Sequence, residues 1–182
     1  MRVIGGTLKG RRILPPKGIK ARPTTDFAKE GLFNILQHST VLEGIRVLDL
    51  FAGAGGISLE FISRGAAEVV SVELDNALHG HLKKCAEQFS ATNWRIVKAD
   101  VFRHIPTDRS RYDLIFADPP FAMENAGTIP ELLRAQGLLA PGGLLIVEHA
   151  KNTDLSADPW FDVCRNYGNI HFSFLSPKSE KP

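Results

Sequence analysis

Val47-Leu48-Asp49-Leu50-Phe51-Ala52-Gly53-Ala54-Gly55-Gly56 runs from an apolar stretch into a glycine-rich turn. The first half suits a buried strand, and the residues after Gly56 carry the apolar spacing of a helix. Gly53 and Gly55 leave room for a ligand to approach the backbone. A helix opening behind them aims its amide groups at that ligand. A dinucleotide fingerprint requires G-x-G-x-x-G, but Ser58 stands at the sixth position, so that match fails. Asp49 is the sharper clue. A carboxylate just before the turn is a poor neighbour for a pyrophosphate. It suits a ligand with cationic ammonium and sulfonium groups, such as S-adenosylmethionine. A glycine turn selected only for close helix–strand packing gives the same pattern.

Outward from this segment the chain alternates strand and helix. Strands are predicted at Ile45–Phe51, Glu68–Glu73, Arg95–Ala99, Tyr112–Ala117 and Leu144–Glu148, the last announced by Pro141-Gly142-Gly143. Helices are predicted at Gly56–Arg64, Asn76–Phe89 and around Pro130–Gln136, with a short helical turn at Phe102–Ile105. Upstream, Thr24, Thr25 and Asp26 are candidate caps for a helix whose apolar face is Ala28, Leu32, Ile35 and Leu36. This alternation implies a doubly wound α/β sheet, mostly parallel, with helices on both faces. Trp160–Arg165 and Ile170–Leu175, turned at Tyr167-Gly168-Asn169, predict an antiparallel C-terminal hairpin at the sheet edge. Residues 2–14 predict a small two-stranded ribbon with turn or bulge positions at Gly5-Gly6 and Lys9-Gly10.

Two further acids sit beside the glycine turn in this scheme. Glu73 ends the second strand, where an acid takes both ribose hydroxyls of a bound nucleoside. Asp100 ends the third, where it would accept from an adenine amino group. Caps of the following helices are the alternative for both. Asp118-Pro119-Pro120-Phe121 closes the fourth strand. Strand order in a doubly wound sheet reverses beside the first strand, and ligands bind there at the strands' carboxyl ends. The glycine turn and the tetrad therefore face one crevice.

The tetrad suits methylation of an exocyclic amino group on a nucleobase. Such an amine is a weak nucleophile because its lone pair is delocalised into the ring. Two acceptors aimed at its hydrogens, the Asp118 carboxylate and the Pro119 carbonyl, favour a directed lone pair. Pro119 and Pro120 fix φ and remove competing donors, and Phe121 stacks on the base. Positioning is the main effect. The proton leaves after transfer, so no strongly perturbed base is required. A rigid strand-end turn with Phe121 in the core is the alternative.

The totals limit the function classes. The chain has 182 residues, with 43% hydrophobic and 23% charged residues, as in an ordinary globular protein. No apolar run approaches the ~20 residues of a membrane span, and the N-terminus has no secretory apolar region. Cys85 and Cys164 form no C-x-x-C pair, which points to a reduced, cytoplasmic setting without a zinc site. The six histidines show no metal spacing and read as surface residues; no metal is expected. Glu148 ends the fifth strand, either lining the crevice or salt-bridged at its rim. The net charge of +2 hides an asymmetry. Residues 1–22 carry Arg2, Lys9, Arg11, Arg12, Lys17, Lys20 and Arg22 and no acid, leaving 15 Lys/Arg against 20 Asp/Glu elsewhere. That divides the chain into a basic arm, 1–22, for a polyanion and an α/β body, 23–182. A merely solvated basic arm is the alternative.

The chain resembles the RsmD family, bacterial methyltransferases acting on guanine N2 of small-subunit rRNA. The resemblance spans nearly the whole chain. It rests on Arg2-Val3-Ile4-Gly5-Gly6, Lys9-Gly10-Arg11, Arg22-Pro23-Thr24, Glu30-Gly31-Leu32-Phe33-Asn34, Leu48-Asp49-Leu50-Phe51-Ala52-Gly53, Ser63-Arg64-Gly65-Ala66 and Asp118-Pro119-Pro120. It implies a Rossmann-like methyltransferase domain with S-adenosylmethionine as cofactor. Cofactor contacts are expected from Asp49, Phe51, Ala52, Gly53, Gly55, Glu73, Leu74, Asp100 and Val101. Arg22 and Thr24 would fold over the methionine end. Asp118 and Pro119 would hold the amine, Pro120 would stiffen the turn, and Phe121 would stack on the guanine. Arg2, Lys9, Arg11, Arg12, Lys17 and Lys20 would grip 16S rRNA, free or within a small ribosomal subunit, with the protein a monomer. Phe121 stands where the family usually has Tyr, Phe27 where it favours Arg, and Cys85 where Asn is common. Rival readings are a DNA amino-methyltransferase for adenine or cytosine, an NAD-dependent oxidoreductase, and a non-enzymatic RNA-binding assembly factor.

Overall fold

The strand carrying the first half of the glycine segment, β1 (Arg46–Asp49), pairs in parallel with β2 (Glu68–Glu73) on one side and β4 (Tyr112–Ala117) on the other. In this computed structural model, which describes residues 1–16, 25–123 and 125–178, the seven-stranded sheet has the order β3-β2-β1-β4-β5-β7-β6. β3 is Trp94–Lys98, β5 Leu139–His149, β6 Phe161–Tyr167 and β7 Ile170–Leu175. β7 pairs antiparallel with both β5 and β6, giving the expected mostly parallel sheet with an antiparallel C-terminal edge.

Helices cover both faces. α1 is Asp26–Ser39, α2 Gly56–Ser63, α3 Asn76–Gln88, α4 Val101–His104 and α5 Ile129–Gln136. Leu32, Phe33, Phe61, Leu82, Leu114 and Phe172 pack in one core. Leu48, Val70, Ile105, Ile115, Leu133 and Leu145 form the other. Of the three candidate caps, Thr25 is the one used, accepting from Ala28 N at 3.1 Å; Asp26 is already helical, and Thr24 lies outside the described residues, as do Lys17, Lys20 and Arg22.

Bounds shift by one or two residues at β1, β3, β6 and α4, and other expectations change more. β5 begins at Leu139, not Leu144. Leu139 pairs with Tyr112 and Leu144 with Leu114, so Pro141-Gly142-Gly143 is a bulge inside the strand. Pro141 has no N–H to contribute to the ladder, and Gly142 takes φ +73°. His149 and His171 are buried, not on the surface. They are paired across β5 and β7 and stack with centroids 5.7 Å apart. The face of α1 buries Lys29 and Phe33 in addition to Ala28, Leu32 and Leu36.

The N-terminal ribbon is an antiparallel hairpin with Arg2 opposite Arg12, closed by bonds from Ile13 N to the Met1 carbonyl and from Val3 N to the Arg11 carbonyl. Val3 and Ile13 are buried in the core, and Thr7 N donates to the Ser63 carbonyl at the end of α2 (2.7 Å). The fastening is the fully buried Glu60 of α2. It accepts from Ile4 N at 2.6 Å and ion-pairs with Lys29 Nζ at 3.1 Å and Arg64 at 3.3 Å. Lys29 in turn donates to the Arg2 carbonyl. Glu60→Leu strands a buried ammonium, so we expect a loss of about 3–5 kcal/mol, read as a lower urea midpoint at unchanged slope. A shift within experimental error would remove Glu60 from this role.

Candidate active site

β1 and β4 end side by side, with Leu50 N donating to the Phe116 carbonyl at 2.9 Å. The glycine turn and the tetrad consequently open into one cavity of about 1240 Å³. That exceeds the ~300–1,000 Å³ of a typical single-ligand pocket, leaving space for two ligands. Phe51 and Gly53 line it from the turn, and Glu73 and Leu74 from the end of β2. Asp100 and Val101 enter from the start of α4, and Asp118, Pro119, Pro120 and Phe121 from the end of β4.

Asp49, Ala52 and Gly55 do not line the cavity. Gly55 takes φ +84°, and a Cβ there would meet Leu82 and Trp94. Its glycine is required by helix–strand packing, the alternative raised by the sequence. Gly53 differs: its surroundings are open, and its N–H donates to Glu73 Oε2 at 2.8 Å. Asp49 is buried, with Oδ2 accepting from Ser58 Oγ at 2.5 Å. Its Oδ1 has no hydrogen-bond partner. Burial raises its pKa to about 7; the Ser58 bond opposes this and Glu73 adds to it.

The acids at the ends of β2 and β3 are equally well placed. Glu73 accepts from Gly53 N and from Asp75 N (2.7 Å). Desolvation still holds its pKa above the ordinary value, against those two amides. Carboxylate oxygens keep further lone pairs for ribose hydroxyls. Asp100 serves both readings at once: it caps α4 through Arg103 N at 3.2 Å and lines the cavity. An orphaned carboxylate oxygen below the turn and two acids along its rim fit a ligand that is cationic at one end and a nucleoside at the other.

At the tetrad, Ala117 pairs with Val147, so Asp118 and Glu148 come next on adjacent strands about 4.8 Å apart. Glu148 is buried and lines the cavity. Desolvation raises the Asp118 pKa well above the carboxylate range, and the Glu148 and Asp49 charges add to this. Nothing in the residue pattern announces so perturbed a group. The Pro120 carbonyl accepts from Met123 N at 2.8 Å. Among the described residues no donor reaches the Pro119 carbonyl. Phe121 is 56% exposed, so it is not a core residue.

Sequence reasoning missed Phe27, Met123 and the β6–β7 turn, Tyr167–Ile170, all lining the cavity. Topology holds the signal for the turn. β7 runs antiparallel to β5 and to β6, so β6 ends at the carboxyl ends of the parallel strands. Among the described residues no group of three or more His, Cys, Asp or Glu is placed to hold a metal. No helix there is long and apolar enough to cross a membrane.

This sheet, reversing at β1 with its crevice at the strand ends, is that of the Rossmann-like methyltransferases. The family model described as "Conserved hypothetical protein 95" matches residues 1–176, and the chain belongs to that family, the RsmD methyltransferases. It is 34% identical over 159 residues to ribosomal RNA small subunit methyltransferase D of Escherichia coli K12, covering 87% of this chain and 79% of that protein. A solved structure, the putative methyltransferase YhhF from E. coli, matches with a TM-score of 0.84 at 31% identity over 96% of each chain. A 16S rRNA N2 G1207 methyltransferase of Thermus thermophilus, solved with AdoMet and guanosine, shares the fold at 24% identity and TM-score 0.67, over 86% of this chain and 44% of that one.

Asp49 moves from 3.8 to about 7 on folding. Folding therefore takes up a proton between about pH 4 and 7, and the ligand-free protein loses stability as pH rises through that window. Asp49→Asn is expected to raise the ligand-free melting temperature at pH 8 and to have little effect at pH 4. Each tenfold change in proton affinity corresponds to ~1.4 kcal/mol, which sets the ceiling on the gain. Equal melting shifts at both pH values would contradict this.

Proposed function

We propose that the protein transfers a methyl group from S-adenosylmethionine to the exocyclic N2 of a guanine in small-subunit rRNA. The observation that carries this is Asp118 and Glu148 standing side by side in the cavity that also holds Glu73 and Asp100. Guanine presents N1–H and N2–H₂ as neighbouring donors. Two adjacent carboxylates match that edge. Adenine and cytosine offer an amino group beside a ring acceptor, which a second carboxylate would repel.

Bound in the cavity, S-adenosylmethionine supplies an electrophilic methyl group on a sulfonium. Asp49 supports its cationic end through the charge of the unpartnered Oδ1, Glu73 takes the ribose, and Asp100 the adenine amine. Phe51, Leu74 and Val101 give the apolar walls. Asp118 and the Pro119 carbonyl accept from the N2 hydrogens and direct the nitrogen lone pair. Phe121 stacks on the flipped base. After transfer the nitrogen carries a surplus proton. Asp118, made more basic by burial and by Glu148, is placed to accept it.

The hairpin supports an RNA substrate. Arg2, Lys9, Arg11 and Arg12 are all exposed, and Arg2 stands directly across from Arg12. Like charges at opposed positions destabilise a ladder; a phosphate backbone relieves that repulsion and binds with strong salt dependence.

Asp118→Ala should lower methyl transfer to small-subunit rRNA by roughly 10²–10⁴-fold while S-adenosylhomocysteine still binds by calorimetry. Undiminished transfer would sink the assignment. In the native enzyme kcat/KM should rise with pH, with a midpoint above the ordinary carboxylate range, because the Asp118 carboxylate must be free to accept. A flat profile from pH 5 to 9 would exclude that role. Glu148→Gln should cost guanine more than adenine in short RNA substrates; equal losses would leave base choice to other groups.

A further inference from the structure

Phe27 is 69% exposed on the first turn of α1. A single exposed apolar residue carries no message, but the position of this one does. Phe27 lines the catalytic cavity and also a second, open groove of about 830 Å³. Tyr167 lines both as well. The two rings meet edge to face, with centroids 5.8 Å apart and planes at 74°. From this aromatic gate the groove runs along α1 past Gly31 and Asn34 to His38, with Arg165 of β6 also lining it. A Cβ on Gly31 would overlap the Tyr167 ring. Glycine at this helical position, unfavourable by propensity, is what lets the ring lie against α1.

We propose that this groove is a subsite for an unpaired nucleotide flanking the methylated one. Phe27 and Tyr167 form its stacking platform, and Arg165 meets its phosphate. The inference rests on the RNA reading above and extends it to a site that reading does not use. A base drawn out of its stack leaves its neighbours unstacked, and an aromatic face beside the entrance gives one of them a new partner. Such a platform is worth roughly 5- to 150-fold in affinity per base and tolerates any base. Charge contributes less in the groove, because Glu30 also lines it and His38 Nδ1 is engaged with the Asn34 carbonyl at 2.7 Å. The groove should therefore add affinity with little salt dependence, unlike the basic hairpin.

The test uses the full chain and small-subunit rRNA. Phe27→Ala and Phe27→Leu should each raise the KM for RNA by roughly 5- to 150-fold, whereas Phe27→Trp should hold it near the native value. The salt slope of RNA binding should be unchanged in Phe27→Ala and shallower in Arg11→Ala. A photo-crosslinking benzoylphenylalanine at position 27 should mark a nucleotide next to the methylated one. The subsite is overturned if Phe27→Leu keeps the native KM, or if crosslinks fall only in distant or base-paired RNA. If the native protein methylates no RNA, the functional reading fails with it, and the same assay shows that separately.

Discussion

The backbone bond from Leu50 N to the Phe116 carbonyl closes the carboxyl end of β1 against that of β4. It marks the place where the sheet changes direction: from β1 the chain winds outward through β2 to β3, then returns to β4 on β1's other side. Right-handed crossovers keep α2 and α3 on one face and, once the winding reverses, put α4 and α5 on the other, so the connections part to opposite sides at the ends of β1 and β4. A crevice is the geometric consequence. The glycine turn, Glu73, Asp100 and Asp118 are distant in sequence, and each simply ends or follows a strand. The sheet order alone brings them into one cavity.

That crevice is electrostatically unfinished. Asp49, Glu73 and Asp118 all have raised pKa values, each through desolvation first. Their mutual charges add to the shifts, since Asp118 feels Glu148 and Asp49, and Asp49 feels Glu73. Structural acids elsewhere in the chain are treated differently. Glu60, as buried as Asp49, is surrounded by Lys29, Arg64 and two backbone amides. Arg46 and Glu68 bridge at 2.8 Å across the β1–β2 pair. The fold thus pairs Glu60 and Glu68 with cations, whereas among the described residues no Lys or Arg lines the cavity. In the proposed reading a cationic ligand would meet these acids, and binding it would stabilise the protein by mass action.

How much of this is legible in the sequence follows from what each signal depends on. β2, β4 and β7 appear with the predicted bounds because their apolar runs stop at strong punctuation or at a charge. β5 reads short because Pro141-Gly142-Gly143 carries the composition of a turn; only pairing to Tyr112 makes it a bulge. His149 and His171 read as surface residues because burial of an imidazole depends on a cross-strand partner, here Ser173 Oγ at 2.8 Å from His149 Nε2. Lys29 is invisible as a core residue without Glu60, which lies 31 positions away in sequence. Gly55 has the same residue type as Gly53, yet one faces Leu82 and Trp94 and the other a cavity. In the site, the acids are legible because strand ends are. The walls supplied by Phe27 and Tyr167 are not, since they require knowing that β7 inserts between β5 and β6.

The hairpin and the cavity are also mechanically joined. α2 begins at Gly56, directly after the glycine turn, and ends at Ser63, whose carbonyl accepts from Thr7 of the hairpin. Eight helical residues span about 12 Å, and the hairpin lies along that length, from Met1 against Gly56 to Thr7 at Ser63, so the basic surface and the turn share one short rod. Glu60, near the middle of that rod, holds the hairpin at Ile4 and α1 at Lys29. α1 in turn carries Phe27 at the mouth of the cavity. A tether through flexible chain would let RNA bind in many registers relative to the reacting amine. A hairpin with Val3 and Ile13 in the core presents Arg2, Lys9, Arg11 and Arg12 at a fixed distance from Asp118. In the proposed reaction, phosphate contacts then contribute to positioning as well as to affinity, which is the form of binding energy that lowers the barrier.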